Sequence, residues 1–294
     1  MYIKHFTLIT LVVAMITLTT ACKRERTTYD GPNYILFSAE SYDLGVIDNE
    51  EWFDIPITAT RSCGHDRQIG VEVLADKSNA IARRHYEVES NTLTIPAGKL
   101  TTSLRIRGIA DNISVADSLG IALRLVLDEE DVWNDYGTEA SVILHKCCPV
   151  DLDAFTGYAK ITSTWTMQYM NADARLVRTR KDAQAENTII VEDMYYDGYD
   201  VRLKFLTEDR LNPAIEMEEQ VIGSTGEAFG TIYGDGKLLM TTPAGYSNYY
   251  SSCERYVLQY VTMYVANVGT VGTYVNIFEW ISDDEAERIM REGF

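Results

Sequence analysis

Leu119-Gly120-Ile121-Ala122-Leu123-Arg124-Leu125-Val126-Leu127 places Leu or Ile at every second position. Successive side chains of a strand point to opposite faces, so this period of two describes a strand with one apolar face; a helix would need the apolar positions three and four apart. The same period recurs upstream in Phe53, Ile55, Ile57 and Ala59, and in Ile69, Val71 and Val73. Thr92-Leu-Thr-Ile-Pro-Ala-Gly98 runs a strand into a Pro/Gly turn, and a further strand passes through Leu104 and Ile106. With Tyr34-Ile-Leu-Phe37 at the start and Ala140-Ser-Val-Ile-Leu144 at the end, about seven strands fit in ~115 residues, the arithmetic of a β-sandwich.

Pro149 breaks the last of these strands, and Asp151-Leu-Asp-Ala154 reads as a linker. A second β-rich region opens at Phe155-Thr-Gly-Tyr158, with strands expected over 158–166, 187–194, 200–206, 215–222, 229–233, 255–265 and 272–280. Gly, Asn and Asp turns separate them, and this many antiparallel strands call for a barrel or a second sandwich. One helix is predicted, at the C-terminus. Ser282-Asp-Asp-Glu285 has the pattern of a capping box, Glu287 and Arg291 are spaced for an i,i+4 pair, and Gly293 is a stop. It reads as a cap on an open barrel end or edge.

The N-terminus adds an address. Met1-Tyr-Ile-Lys-His5 is a short positive region, an apolar and small-residue run follows from Phe6 to Leu18, and Thr19-Thr-Ala-Cys22 offers a small-residue cleavage site. The run is shorter than the ~20 residues a membrane-crossing helix needs. Residues 19–22 resemble the lipobox of bacterial lipoproteins, with Thr19 where Leu is usual. That resemblance implies a diacylglycerol and an N-acyl chain on Cys22, a stable anchor, and Lys23 after it implies outer-membrane sorting. The periplasmic face and the cell surface both stay open.

The chain has 294 residues, beyond a typical single domain. It carries 26 basic and 44 acidic side chains, and loss of residues 1–21 removes Lys4 and no acid. A surface this acidic is a poor match for nucleic acid.

Gly31-Pro-Asn-Tyr-Ile-Leu-Phe-Ser38, His85-Tyr-Glu-Val88, the Ile95-Pro-Ala-Gly98 turn and the Leu-rich strand together resemble the Calx-beta-like, immunoglobulin-like modules of Bacteroidetes outer-membrane lipoproteins. The Phe-x-Gly-Tyr start of the second region resembles the lipocalin-like C-terminal domains of uncharacterised lipoproteins of the same group. The expected fold is all-β: signal peptide 1–21, lipidated tether 22–33, immunoglobulin-like sandwich 34–148, and a lipocalin-like barrel or second sandwich over 154–294 with its short C-terminal helix. Many such lipoproteins are encoded with polysaccharide-uptake systems, so the resemblance implies a polysaccharide, or a protein of an outer-membrane uptake complex, as partner beside the membrane itself.

Catalytic signatures are thin. His65, His85 and His145 are the histidines beyond the signal segment, and no Gly-x-Ser-x-Gly, His-Glu-x-x-His or phosphate-loop motif occurs. Glu216, Glu218 and Glu219 would suit a glycosidase only across a cleft; beside Ile215 and Met217 they read as an ordinary exposed strand face. Cys63, Cys147, Cys148 and Cys253 permit two disulfides with three connectivities, among them Cys63 to one of the adjacent pair and Cys253 to the other, or else buried free thiols. Cys63 and His65 with His145 and Cys147 or Cys148 could also supply zinc ligands, in a spacing unlike a zinc finger. No cofactor is expected; calcium on Asp128, Asp131 and Asp135 is the alternative to a solvated charge run.

Tyrosines carry the functional expectation. Tyr195 and Tyr199 lie in a Tyr-rich turn, and Tyr246, Asn248, Tyr249 and Tyr250 in a polar stretch. A loop tyrosine has a flat apolar face and a hydroxyl, suited to stacking on sugar rings or to protein interfaces. Tyr256, Leu258, Tyr260 and Tyr264 alternate along a strand and read as packing residues, as do Trp165 and Trp280. The expectation is a non-enzymatic lipoprotein that binds glycan or assists a carbohydrate-uptake system. The competing readings are an adhesion or structural lipoprotein that binds another protein, and a small-molecule binder that uses the barrel interior.

Overall fold

The computed structural model describes residues 29–133 and 136–294. The signal peptide, Cys22, the tether to residue 28, and Asp135 of the calcium candidates lie outside the described residues.

Nine strands come first: β1 (Ile35–Phe37), β2 (Ser41–Val46), β3 (Trp52–Ala59), β4 (Arg67–Val73), β5 (Tyr86–Val88), β6 (Thr92–Ile95), β7 (Thr101–Gly108), β8 (Leu119–Val126) and β9 (Glu139–Lys146). They form two facing sheets, ordered β1-β3-β7-β5 and β2-β9-β8-β4-β6. The alternation in β8 does what its period requires, with Leu119, Ile121, Leu123 and Leu125 in the core between the sheets. β2 was not legible in the sequence. Its Leu44, Gly45 and Val46 are all buried without alternation, and it runs parallel to β9, Ser41 opposite Ser141 and Val46 opposite Lys146.

Ten strands follow: β10 (Gly157–Ser163), β11 (Ala174–Lys181), β12 (Thr188–Val191), β13 (Val201–Leu206), β14 (Ala214–Glu216), β15 (Gln220–Ser224), β16 (Lys237–Thr241), β17 (Asn248–Ser251), β18 (Tyr256–Val265) and β19 (Gly269–Ile281). Antiparallel pairing runs β10-β11-β12-β13-β14-β17-β18-β19 and returns to β10, which closes an eight-stranded barrel. β18 has two partners on one side. Its first half pairs with β17, Leu258 opposite Tyr249, and its second half with β16, Tyr264 opposite Leu239. The Gln220 side chain accepts from Arg202 N at 2.7 Å and donates to Arg202 O at 2.9 Å, tying β15 to β13 as a ladder pair would. Closure pairs each of the eight ring strands on both sides.

Side chains fill the interior. Val257, Gln259, Val261 and Met263 of β18 meet Asn276 and Phe278 of β19, Trp165 and Tyr195, all essentially without solvent exposure. Buried polar groups must find partners, and here they form a chain: Tyr195 Oη donates to Asn276 Oδ1 at 2.8 Å, and Asn276 Nδ2 donates to Gln259 Oε1 at 2.9 Å. A small molecule in this barrel would have to displace those side chains.

Three α-helices complete the described residues: α1 (Thr164–Tyr169), α2 (Thr225–Phe229) and α3 (Asp283–Glu292). α1 cuts short the strand expected to reach 166, because Ser163 Oγ accepts from Trp165 N and caps a helix there. No strand forms over 229–233: α2 has a reciprocal capping box between Ser224 and Glu227 and stops at Gly230, whose φ of 70° suits glycine. The expected strand 215–222 is two strands, β14 and β15. Ser282 caps α3 as predicted, its side chain accepting from Glu285 N, and the ion pair is Glu285–Arg288, not Glu287–Arg291. The helix buries Ala286 and Ile289 beside β10 and caps no edge there, since β10 is paired on both sides.

Tyr195→Phe removes the one hydroxyl that satisfies Asn276 Oδ1 in a dry interior. The variant is expected to lose about 1–3 kcal/mol of stability, read by urea unfolding; an unchanged midpoint would mean that the interior chain contributes nothing.

Candidate ligand-binding face and interdomain groove

The inward residues of β18 fix what faces out. Val257, Gln259, Val261, Met263 and Val265 point into the barrel, so Tyr256, Leu258, Tyr260, Thr262 and Tyr264 lie on its outer wall, partly exposed. This corrects the packing role expected for Tyr256, Tyr260 and Tyr264. Tyr246 lies over Tyr260 with ring centroids 5.0 Å apart, and Tyr249 meets Tyr256 edge to face at 6.2 Å. Tyr246 is 53% and Tyr249 40% exposed. Ile277 of β19, opposite Leu258, extends the face with aliphatic surface.

Two of the six candidate ligand residues lie on this face. Tyr195 is 1% exposed inside the barrel, and Tyr250 is 2% exposed. Tyr250 packs on Phe205 and Phe155 and donates to Leu206 O at 3.2 Å. Neither can present a ring to a ligand. Asn248 is buried too, and its Oδ1 accepts from Tyr260 N at 2.7 Å while its Nδ2 donates to Thr242 Oγ1 at 3.1 Å. It therefore pins the loop that carries Tyr246 against β18. Tyr199 sits apart, half-buried in the loop between β12 and β13.

Below Tyr249 and Tyr256 the wall drops into a groove of about 530 Å³ between sandwich and barrel. The sandwich side offers Asp43, Asp117 and His145; the barrel side offers Arg210, Asn212 and Glu254. At its base Cys148 and Cys253 form a disulfide, with Cα atoms 5.2 Å apart and 105 residues between them in sequence. Cys63 and Cys147 are free. Cys63 lies beside His65, Sγ to Nδ1 3.2 Å, while burial pushes the Cys147 thiol up. His145 Nε2 is 2.8 Å from Asp43 Oδ1. With Cys148 bonded and His145 engaged by Asp43, the residues weighed for zinc do not converge. Asp128 is exposed, and Asp131 Oδ1 accepts from Asn33 Nδ2. Among the described residues, no three of His, Cys, Asp and Glu gather into a metal-binding group.

Arg210 is the second tie across the groove. Asp209 Oδ1 accepts from Leu211 N and Asn212 N, folding the loop after β13 into a turn that holds Arg210 out. Arg210 Nη1 then reaches Glu51 Oε2 at 2.7 Å, and its stem lies on Gly45, where a Cβ would meet Arg210 Cδ and Cγ at 2.8 Å. The Arg210 hydrogen bond holds the Glu51 carboxyl below its ordinary range.

Residues 135–292 match the model of a family described as a domain of unknown function, DUF4984. No curated protein matches the chain. Among solved structures, the apo form of the Calx CBD1 domain aligns with 18% identity over 40% of this chain and 98% of its own, at a TM-score of 0.33. A "putative carbohydrate binding protein" from Bacteroides ovatus ATCC 8483 aligns with 13% identity over 82% of this chain and 67% of its own, at 0.32. A protein of unknown function from Bacteroides ovatus aligns with 10% identity over 83% and 89%, at 0.35.

Because the Glu51 carboxyl sits low in the folded state, the Arg210 pair stabilises above the unfolded carboxylate value of about 4.3 and fades as pH falls through the folded value. Both side chains are more than a third exposed, so the effect is about 1 kcal/mol or less. Glu51→Gln is expected to melt below the parent at pH 7 and to converge with it as pH falls below the unfolded carboxylate value and on through the lowered folded one. A gap that persists in acid would show that the pair is not its source.

Proposed function

The chain belongs to the DUF4984 family, and we propose that it is a non-enzymatic, lipid-anchored protein of the outer membrane that binds glycan on the outer wall of its barrel. The observation that carries this is the set Tyr246, Tyr249, Tyr256 and Tyr260, side by side on one partly exposed face that continues into a groove. Tyrosine rings offer apolar faces to the C–H surfaces of sugars and hydroxyls to their oxygens. They are held by a ladder and by Asn248, so little order is lost on binding. The groove adds polar groups, Asn212 and Glu254 among them, where hydroxyls of a sugar could be met. The lipid on Cys22 supplies the anchor, and the sandwich spaces the barrel from the membrane.

A protein partner is the second reading, favoured by one observation: Leu258 lies between the tyrosines and Ile277 beside it on β19, making the face more aliphatic than a row of rings alone.

The experiment is affinity electrophoresis of the protein from Thr27 onward through a panel of polysaccharides. The parent is expected to be retarded by at least one, and Tyr246→Ala with Tyr249→Ala to migrate freely. Loss of one ring contact worth about 1.4 kcal/mol weakens binding tenfold. Retention of full retardation by the double variant would move the site elsewhere, and no retardation of the parent would favour the protein partner.

A further inference from the structure

We infer that the ligand is an uncharged glycan chain of several sugar units, laid along β18 from the groove outward; this rests on the glycan reading above. Charge supports the first half. The basic side chains that line the groove are engaged: Arg210 with Glu51 at 2.7 Å, His145 with Asp43 at 2.8 Å, and Lys146 Nζ donating to Ala110 O at 2.6 Å. Those bordering the tyrosine face are engaged as well, Lys160 with Glu279 and Lys204 with Glu216, both at 2.6 Å. Arg255 is exposed at the turn ahead of β18 and does not line the groove. Glu254 and Asp117 line the groove with no cation in ion-pair range among the described residues. A sulfated or uronic-acid chain would meet these carboxylates with no unengaged cation in the groove lining to answer it, on a molecule of net charge −18. A neutral chain asks only for stacking and hydrogen bonds.

Spacing supports the second half. Tyr256, Tyr260 and Tyr264 recur every fourth residue on one strand face, about 13 Å apart at ~3.3 Å per residue. Tyr249 lies opposite Leu258 on the neighbouring strand and fills the first interval. A single sugar ring can cover one such ring, while only a chain reaches successive ones. Each additional contact is then made within a complex already formed, so affinity climbs with chain length.

The test uses the purified protein with two groups of polymers, neutral (amylopectin, galactomannan, arabinoxylan) and acidic (polygalacturonate, chondroitin sulfate), in affinity electrophoresis. Oligosaccharides of the polymer that binds are then titrated by calorimetry. Retardation is expected by a neutral polymer and by neither acidic one, with at least a tenfold gain in affinity from disaccharide to hexasaccharide. That gain is expected to shrink in Tyr260→Ala, whose melting temperature checks its fold. Retardation by an acidic polymer alone, or a disaccharide bound as tightly as a hexasaccharide, overturns this inference and leaves glycan binding standing. No retardation by any polymer removes both.

Discussion

The period of two in β18 is the constraint on which the barrel half of the molecule depends. Its ten residues pair with β19 along one side and with β17 and then β16 along the other, so the strand is the seam at which the barrel closes. A strand so placed cannot slip by one residue without exchanging its two faces. Val257, Val261 and Met263 must fill the interior, and Gln259 must meet Asn276. The tyrosines are on the outer wall because the other set has no alternative to being inside.

The ligand face inherits its position from the same closure. Tyr249 and Tyr250 are neighbours in sequence with opposite fates, one exposed and the other packed on Phe155 and Phe205, because β17 pairs with β18 in a fixed register. The groove adds a second dependence, on the junction between sandwich and barrel. A disulfide between Cys148 and Cys253 and the Arg210–Glu51 pair hold its two walls together and so limit its width.

The sequence made the sandwich readable wherever one face of a strand is buried, as in β8 and β3. It hid β2, buried without alternation, and β11, whose Arg175, Arg178, Arg180 and Lys181 mask the few apolar residues that face inward. The capping box of α2 was present in Ser224-Thr-Gly-Glu227, obscured by a glycine inside so short a helix. For the site, aromatic content marked the right region but not the right residues. Tyr246 and Tyr249 were identifiable as exposed. Tyr256 and Tyr260 were not, because an alternating strand reports that one face is buried and leaves open which; Gln259 and Asn276, polar yet inside, reversed the assignment that hydrophobicity suggests.

Residue-resolved tyrosine footprinting tests this arrangement most directly, by brief iodination of the native protein followed by peptide mass analysis. Rapid labelling of Tyr246, Tyr249, Tyr256 and Tyr260 and resistance of Tyr195 and Tyr250 are expected, with the first group protected when a retarding polysaccharide is present. Labelling of Tyr195 and Tyr250 while Tyr256 and Tyr260 stay unmodified would contradict this arrangement, since the faces of β17 and β18 would then be reversed.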